Sequence, residues 1–64
     1  MTTLQKVPML TKHMYFVRGA GLYYILDTRP VEGLLLVENC WTGNVQWEKA
    51  NVVRSSVKEV IKTT

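Results

Sequence analysis

The stretch Gly33-Leu-Leu-Leu-Val-Glu38, Asn39-Cys-Trp-Thr-Gly-Asn44, Val45-Gln-Trp-Glu48 decides the fold class. An apolar run as short as Leu34 to Glu38, bounded on both sides by turn residues, cannot sustain an isolated helix and reads as a central strand. Asn39 to Asn44 reads as a hairpin loop with Gly43 in the left-handed region, where a residue without a Cβ carries no steric penalty. Val45 to Glu48 then alternates, and the expectation is that Val45 and Trp47 point inward while Gln46 and Glu48 point outward. The same alternation turns Leu34 and Leu36 away from Leu35 and Val37. They therefore need cover from another segment of the chain or from another subunit.

Working outward toward the N-terminus, Asp27-Thr28-Arg29-Pro30 carries turn chemistry and ends the strand Leu22-Tyr23-Tyr24-Ile25-Leu26. Gly19-Ala20-Gly21 joins that strand to an earlier one, Thr11 to Arg18, as a hairpin. In that earlier strand Met14 and Phe16 lie on one face and His13, Tyr15 and Val17 on the other. The first ten residues show no period and include Pro8, so residues 1–10 read as an extended arm or an edge strand and residues 11–64 as one barrel domain. Toward the C-terminus, Val52 to Ile61 is ambiguous. Ser56 and Glu59 have the spacing of a capping box, whereas Val57, Val60 and Ile61 favour a strand. A short turn followed by a closing strand is the preferred expectation, with a short helical turn as its alternative. The expected core is Met14, Phe16, Leu22, Tyr24, Leu26, Leu35, Val37, Val45 and Trp47.

About five short strands joined by tight turns point to an all-β fold closed into a small bent barrel, because a flat sheet of this size leaves edges and one apolar face exposed. The chain has 64 residues, 47% of them hydrophobic and 20% charged, too apolar for a disordered tail and too polar for a membrane span. A chain this short buries only about 60% of its unfolded surface, which leaves little margin for a strained catalytic cavity. The net charge of +3 arises from Lys6, Lys12 and Arg18, because the remaining five basic and five acidic residues cancel. Cys40 is the sole cysteine, so no internal disulfide forms and a reducing, cytoplasmic location is expected. Neither a signal peptide nor a spanning helix is expected.

Little in the chain resembles catalytic machinery. His13 is the sole histidine and has no acid near it in sequence, so it reads as a half-exposed strand residue rather than a metal ligand or a base. Cys40 reads as a small buried hydrophobe. Gly19-Ala20-Gly21 lacks the continuation of a phosphate-binding loop, since Tyr24 stands where a glycine is required. The acids form no close pair in sequence. No enzyme activity, cofactor, metal or small-molecule substrate is expected.

The aromatic residues carry more information, because Tyr15, Tyr23 and Trp41 are left nearer the surface once the expected core is filled. With Leu34 and Leu36, the residues Tyr23 and Trp41 form a candidate protein interface for a partner protein or for further copies of the chain. The alternative is a nucleic-acid surface built from Lys12, Tyr15, Arg18 and Tyr23, in which basic side chains track phosphates and aromatic rings stack on bases.

The run Gly33-Leu-Leu-Leu-Val-Glu-Asn39, the Trp41-Thr-Gly43-Asn hairpin, Val45-Gln-Trp47 and Ala50-Asn-Val-Val53 resembles the middle and end of SH3-like small barrels over about residues 12–62. The acidic loop and paired aromatic motif of proline-peptide-binding SH3 domains are not recognisable. Tyr15-Phe-Val-Arg-Gly19, with Leu34 to Asn39 and Ala50 to Val53, is also similar to Sm-like RNA chaperones. That resemblance implies rings and RNA binding, and Trp47-Glu48-Lys49-Ala50 stands where that family carries Tyr-Lys-His-Ala. In size and lack of catalytic motifs the chain also looks like small accessory proteins of phages and mobile elements, many of them inhibitors or adaptors. A non-catalytic interaction module that docks protein is the expected function, with nucleic-acid binding as the alternative.

Overall fold

Aromatic and β-branched residues dominate the middle of the chain, and their backbone runs as strands broken wherever a residue takes positive φ. The structure is a computed structural model and describes residues 9–61. It contains β1 (Tyr15–Arg18), β2 (Gly21–Arg29), β3 (Leu34–Asn39), β4 (Val45–Lys49), a short helix α1 (Ala50–Ser56) and β5 (Glu59–Ile61). The strands form one antiparallel sheet in the order β4-β3-β2-β1-β5. Gly19, Gly33 and Gly43 all have positive φ, and Gly43 at +81° closes the β3–β4 loop as the sequence implies. The expected arm at residues 1–10 falls mostly outside the described residues, although Leu10 is buried in the core.

Two irregularities bend the sheet. In β2, Ile25 pairs with Val37 and Asp27 with Leu36, so Leu26 is an extra residue that reverses the facing of the strand beyond it. Ahead of β1, Ile25 accepts from the His13 N–H at 2.8 Å and donates to the Met14 carbonyl at 2.9 Å. One residue therefore opposes two, and His13 takes the left-handed φ of 70° that this bulge demands. His13 is thus an exposed turn residue and not part of a strand. Asp27, Thr28 and Arg29 continue β2, and the turn expected there sits farther on at Pro30–Gly33, closed by Gly33 N–H donating to the Pro30 carbonyl at 3.1 Å.

The concave face holds the core: Leu10, Met14, Phe16, Ile25, Leu35, Val37 and Val53 are buried, with Tyr23, Ala50, Val57 and Val60 packed against them. Of the expected core, Met14, Phe16, Leu35 and Val37 are buried. The others are not. Leu22 and Tyr24 pair with Val17 and Tyr15 on the convex face and are half-buried, as is the bulged Leu26. Val45 and Trp47 are also convex and remain 48% and 39% exposed, because the hairpin register sets them opposite Glu38 and Leu36. Gln46 and Glu48 consequently lie on the concave face, the reverse of the expectation, with Gln46 exposed and Glu48 half-buried. Cys40 is exposed rather than buried.

Both a helix and a closing strand occupy the ambiguous C-terminal stretch. Helix α1 begins where Ala50 donates to the Gly33 carbonyl at 2.7 Å and seats Val53, fully buried, against the core. It ends where the Ser55 and Ser56 hydroxyls donate back to the Val52 carbonyl at 2.9 and 3.0 Å, a competition with the backbone that shortens helices. Val57 is extended and Lys58 donates to the Val17 carbonyl at 2.8 Å, which starts β5 alongside β1.

Candidate functional site

The register places two sets of side chains on opposite faces. Across the convex face, Val45, Glu38, Tyr24, Tyr15 and Ile61 stand in one row from β4 to β5, and Trp47 and Leu36 stand opposite each other in a parallel row. Arg29 and Leu34 are opposite one another beside them. The Arg29 guanidinium lies over the Trp47 ring, 4.7 Å from its centroid, and pairs with Glu32 at 3.6 Å. The Tyr15 and Tyr24 rings are 4.6 Å apart and tilted, and the Tyr24 hydroxyl is hydrogen-bonded to His13 Nδ1 at 2.6 Å. These contacts hold the aromatic rings in fixed orientations without burying them, and a preset aromatic surface loses little conformational freedom when it docks.

At the end of this face the exposed Asn39–Asn44 loop is tied by internal hydrogen bonds. Asn39 Oδ1 accepts from the Trp41 and Thr42 N–H groups at 2.8 and 3.2 Å, and the Asn39 carbonyl accepts from Gly43 at 2.7 Å. Trp41, 76% exposed, is carried on that loop. The Cys40 thiol nearby, though exposed, is raised from its ordinary value by slight desolvation against the loop and by the Glu38 charge, which disfavours the reactive thiolate.

The concave face carries a polar cluster at its open end. Arg18 of β1 donates to both carboxylate oxygens of Glu48 of β4, at 2.7 and 3.0 Å. In a flat sheet strands three places apart would be separated by roughly 14 Å, so the pair reports how far the sheet curls. The Arg18 guanidinium also lies 4.4 Å from the centroid of Tyr23, and Tyr23 stacks on Phe16 at 5.3 Å. Asn39 Nδ2 donates to the Tyr23 hydroxyl at 3.5 Å, and Gln46 donates to Glu48 at 3.1 Å. Hydrogen bonding to Arg18 draws the Glu48 carboxyl below its ordinary value, and partial burial opposes this. The bond to Glu48 holds Arg18 above its ordinary value, again against burial.

The candidate residues therefore divide. Leu34 and Leu36 share the convex face, with Trp41 on the adjoining loop, whereas Tyr23 is half-buried on the other face between Phe16 and Arg18. Lys12, Tyr15, Arg18 and Tyr23 do not converge: Arg18 and Tyr23 are concave, Tyr15 is convex, and exposed Lys12 pairs with Asp27 at 3.8 Å. Trp47, Val45 and Tyr24 belong to the convex surface and were missed as surface residues. The signal was the hairpin itself, because a loop closing at Asn39 and Asn44 sets Trp47 opposite Leu36.

A shallow groove of about 270 Å³ opens at the other end of the sheet, lined in part by Leu10, Pro30, Leu34, Leu35 and Ala50. Among the described residues no group of His, Cys, Asp and Glu is placed to hold a metal ion, and no helix is long and apolar enough to cross a membrane. Compared with known proteins, the chain matches no protein-family model, no curated protein and no solved structure.

Proposed function

We propose that the protein is a non-catalytic interaction module, an SH3-like barrel that docks protein through the convex face of its β3–β4 hairpin. The observation that carries this reading is the set Leu34, Leu36, Val45 and Trp47 on one face of that hairpin, with Trp41 on its loop. Large apolar side chains grouped on a surface mark contacts, and tryptophan is the residue most enriched among those that dominate binding energy. The strand order, with one short helix between β4 and β5, supports the SH3-like assignment. A cytoplasmic accessory protein of adaptor or inhibitor type fits the size of the chain and its single cysteine.

The nucleic-acid reading draws less support. Its four residues occupy different faces, and Arg18, its strongest cation, is engaged bidentately by Glu48. Phosphate binding would have to displace that pair.

The test is capture from cell extract on the immobilised full chain, run beside titration of a fluorescent single-stranded oligonucleotide. A discrete protein should stay bound through a high-salt wash and be lost at least tenfold in Leu36→Glu and Trp41→Ser, while Lys12→Glu retains it. Oligonucleotide binding that falls with salt at a log–log slope of about −2 to −4, as three or four neutralised phosphates require, and that is lost in Lys12→Glu would overturn the proposal.

A further inference from the structure

Strand β4 ends the sheet, and its outer edge has a definite hydrogen-bonding pattern. Asn39 donates to the Asn44 carbonyl at 2.8 Å, and Ala50 donates to the Gly33 carbonyl at 2.7 Å. In an antiparallel ladder such residues alternate with ones that face away, so Gln46 and Glu48 turn their backbone groups toward β3. Val45, Trp47 and Lys49 therefore aim their N–H and C=O groups outward. Among the described residues no strand pairs with them. The edge also lacks two devices that protect edges: β4 contains no proline, and its register with β3 runs without a bulge.

We infer that this edge pairs with β4 of a second copy of the chain, antiparallel and centred on Trp47. The inference names one partner for the border of the docking face and so rests on the docking reading. A two-fold axis perpendicular to the sheet keeps convex face beside convex face, and only registers that set odd residues against odd residues bring outward-facing groups together. Trp47 is the middle of the three outward residues, so centring on it pairs all of them: Val45 with Lys49 of the second copy, Trp47 with its counterpart, and Lys49 with Val45. Each facing pair exchanges two backbone hydrogen bonds. Moving the centre to a neighbouring residue leaves two such pairs.

The side chains match the same register. The Trp47 rings meet on the convex face and extend the apolar row that begins at Leu36. Each Lys49 stem lies along a Val45, and the two ammonium groups sit at opposite ends of the junction. On the concave face Gln46 stands opposite Glu48, so no charge directly opposes its like. A strand from another protein would gain the backbone bonds but has no such reason to settle in one register.

The test combines sedimentation velocity of the full chain, from micromolar to millimolar concentration, with amide hydrogen exchange read by NMR. The mass should rise from monomer to dimer. Over the same range the Val45, Trp47 and Lys49 amides should gain at least tenfold protection, while those of Gln46 and Glu48 are protected throughout. Lys49→Pro should stay monomeric with an unchanged unfolding midpoint, because Lys49 already has φ −69° and its N–H bonds nothing within the chain under this pattern. A monomer at every concentration, or a mass beyond the dimer, overturns the inference. So does a dimer whose three outward amides exchange freely. If that last dimer dissociates in Leu36→Glu, the convex-face reading stands and the edge pairing alone fails.

Discussion

The two faces of the sheet use residues in the opposite way to what composition suggests. The concave face encloses Phe16, Ile25 and Val37 completely, yet also admits Arg18, Gln46 and Glu48. The convex face carries Trp47, Leu36, Leu34, Tyr15 and Tyr24 and leaves them half-covered or exposed. Charge is accommodated at the open end of the concave side because Arg18 and Glu48 are partners there, and among the described residues no buried side-chain nitrogen or oxygen lacks a hydrogen bond. Apolar surface remains outside because strand pairing fixes which side chains share a face, and among the described residues no second layer covers the convex side. The lesson is that pairing register outranked hydrophobicity in assigning the faces.

If stability resides on the concave side and docking on the convex side, substitutions should separate the two. Phe16→Ala should have the largest effect, about 3–5 kcal/mol, for loss of a fully buried ring. A core of this size rarely supplies more than about 3–5 kcal/mol in total, so urea titration should find the variant largely unfolded without denaturant. A folded Phe16→Ala protein would break the division.

Glu48→Gln should cost less, about 1–2 kcal/mol, because the Arg18–Glu48 pair is well shielded but reaches solvent at the open end of the sheet. It also has a pH signature. The folded carboxyl lies below its ordinary value of 4.5, so its contribution is fully present above that value and is lost as the pH falls through the lower folded value. Wild type should therefore lose stability on that acid side, and Glu48→Gln should lose less over the same range in pH-resolved thermal unfolding. Arg18 is held above its ordinary range, so its contribution is fully present below that range and the pair shows no loss across neutral and mildly alkaline pH.

Trp47→Ser should be the mildest for folding, under about 1 kcal/mol, since the ring lies at the sheet edge and remains 39% exposed. The same variant should weaken docking at least tenfold in the capture assay. A large loss of stability with docking intact would reverse the roles assigned to the two faces.

Much of the architecture was legible in the sequence. The β3–β4 hairpin, its Gly43 turn, the meander of short strands and the outward facing of Leu34 and Leu36 follow from local patterns of apolar and turn residues. The length of β2 was not legible, because Asp27-Thr28-Arg29 is turn-forming in isolation and becomes strand only by pairing with Leu34, Leu35 and Leu36. Nor was the bulge at Leu26, which lets alternation slip by one residue with no glycine or proline to mark it. Trp47 was assigned inward from its own hydrophobicity, although the hairpin loop already placed it opposite Leu36. At the candidate site, Arg18 looked like a free cation because its partner Glu48 lies thirty positions away. No local reading joins such residues. The charge balance counted both side chains without revealing that they cancel each other.

That separation in sequence has a kinetic consequence. The hairpins β1–β2, β2–β3 and β3–β4 each join neighbours along the chain and close short loops, so they can form early at small entropic cost. Arg18 and Glu48 meet only once all three are in register, so their contact is expected to form after the folding barrier. An interaction absent from the transition state slows unfolding and leaves the folding rate nearly unchanged. In stopped-flow chevrons, Glu48→Gln should therefore raise the unfolding limb and spare the folding limb. The expected outcome is that the ion pair sets how long the folded sheet lasts and the hairpins set how quickly it forms.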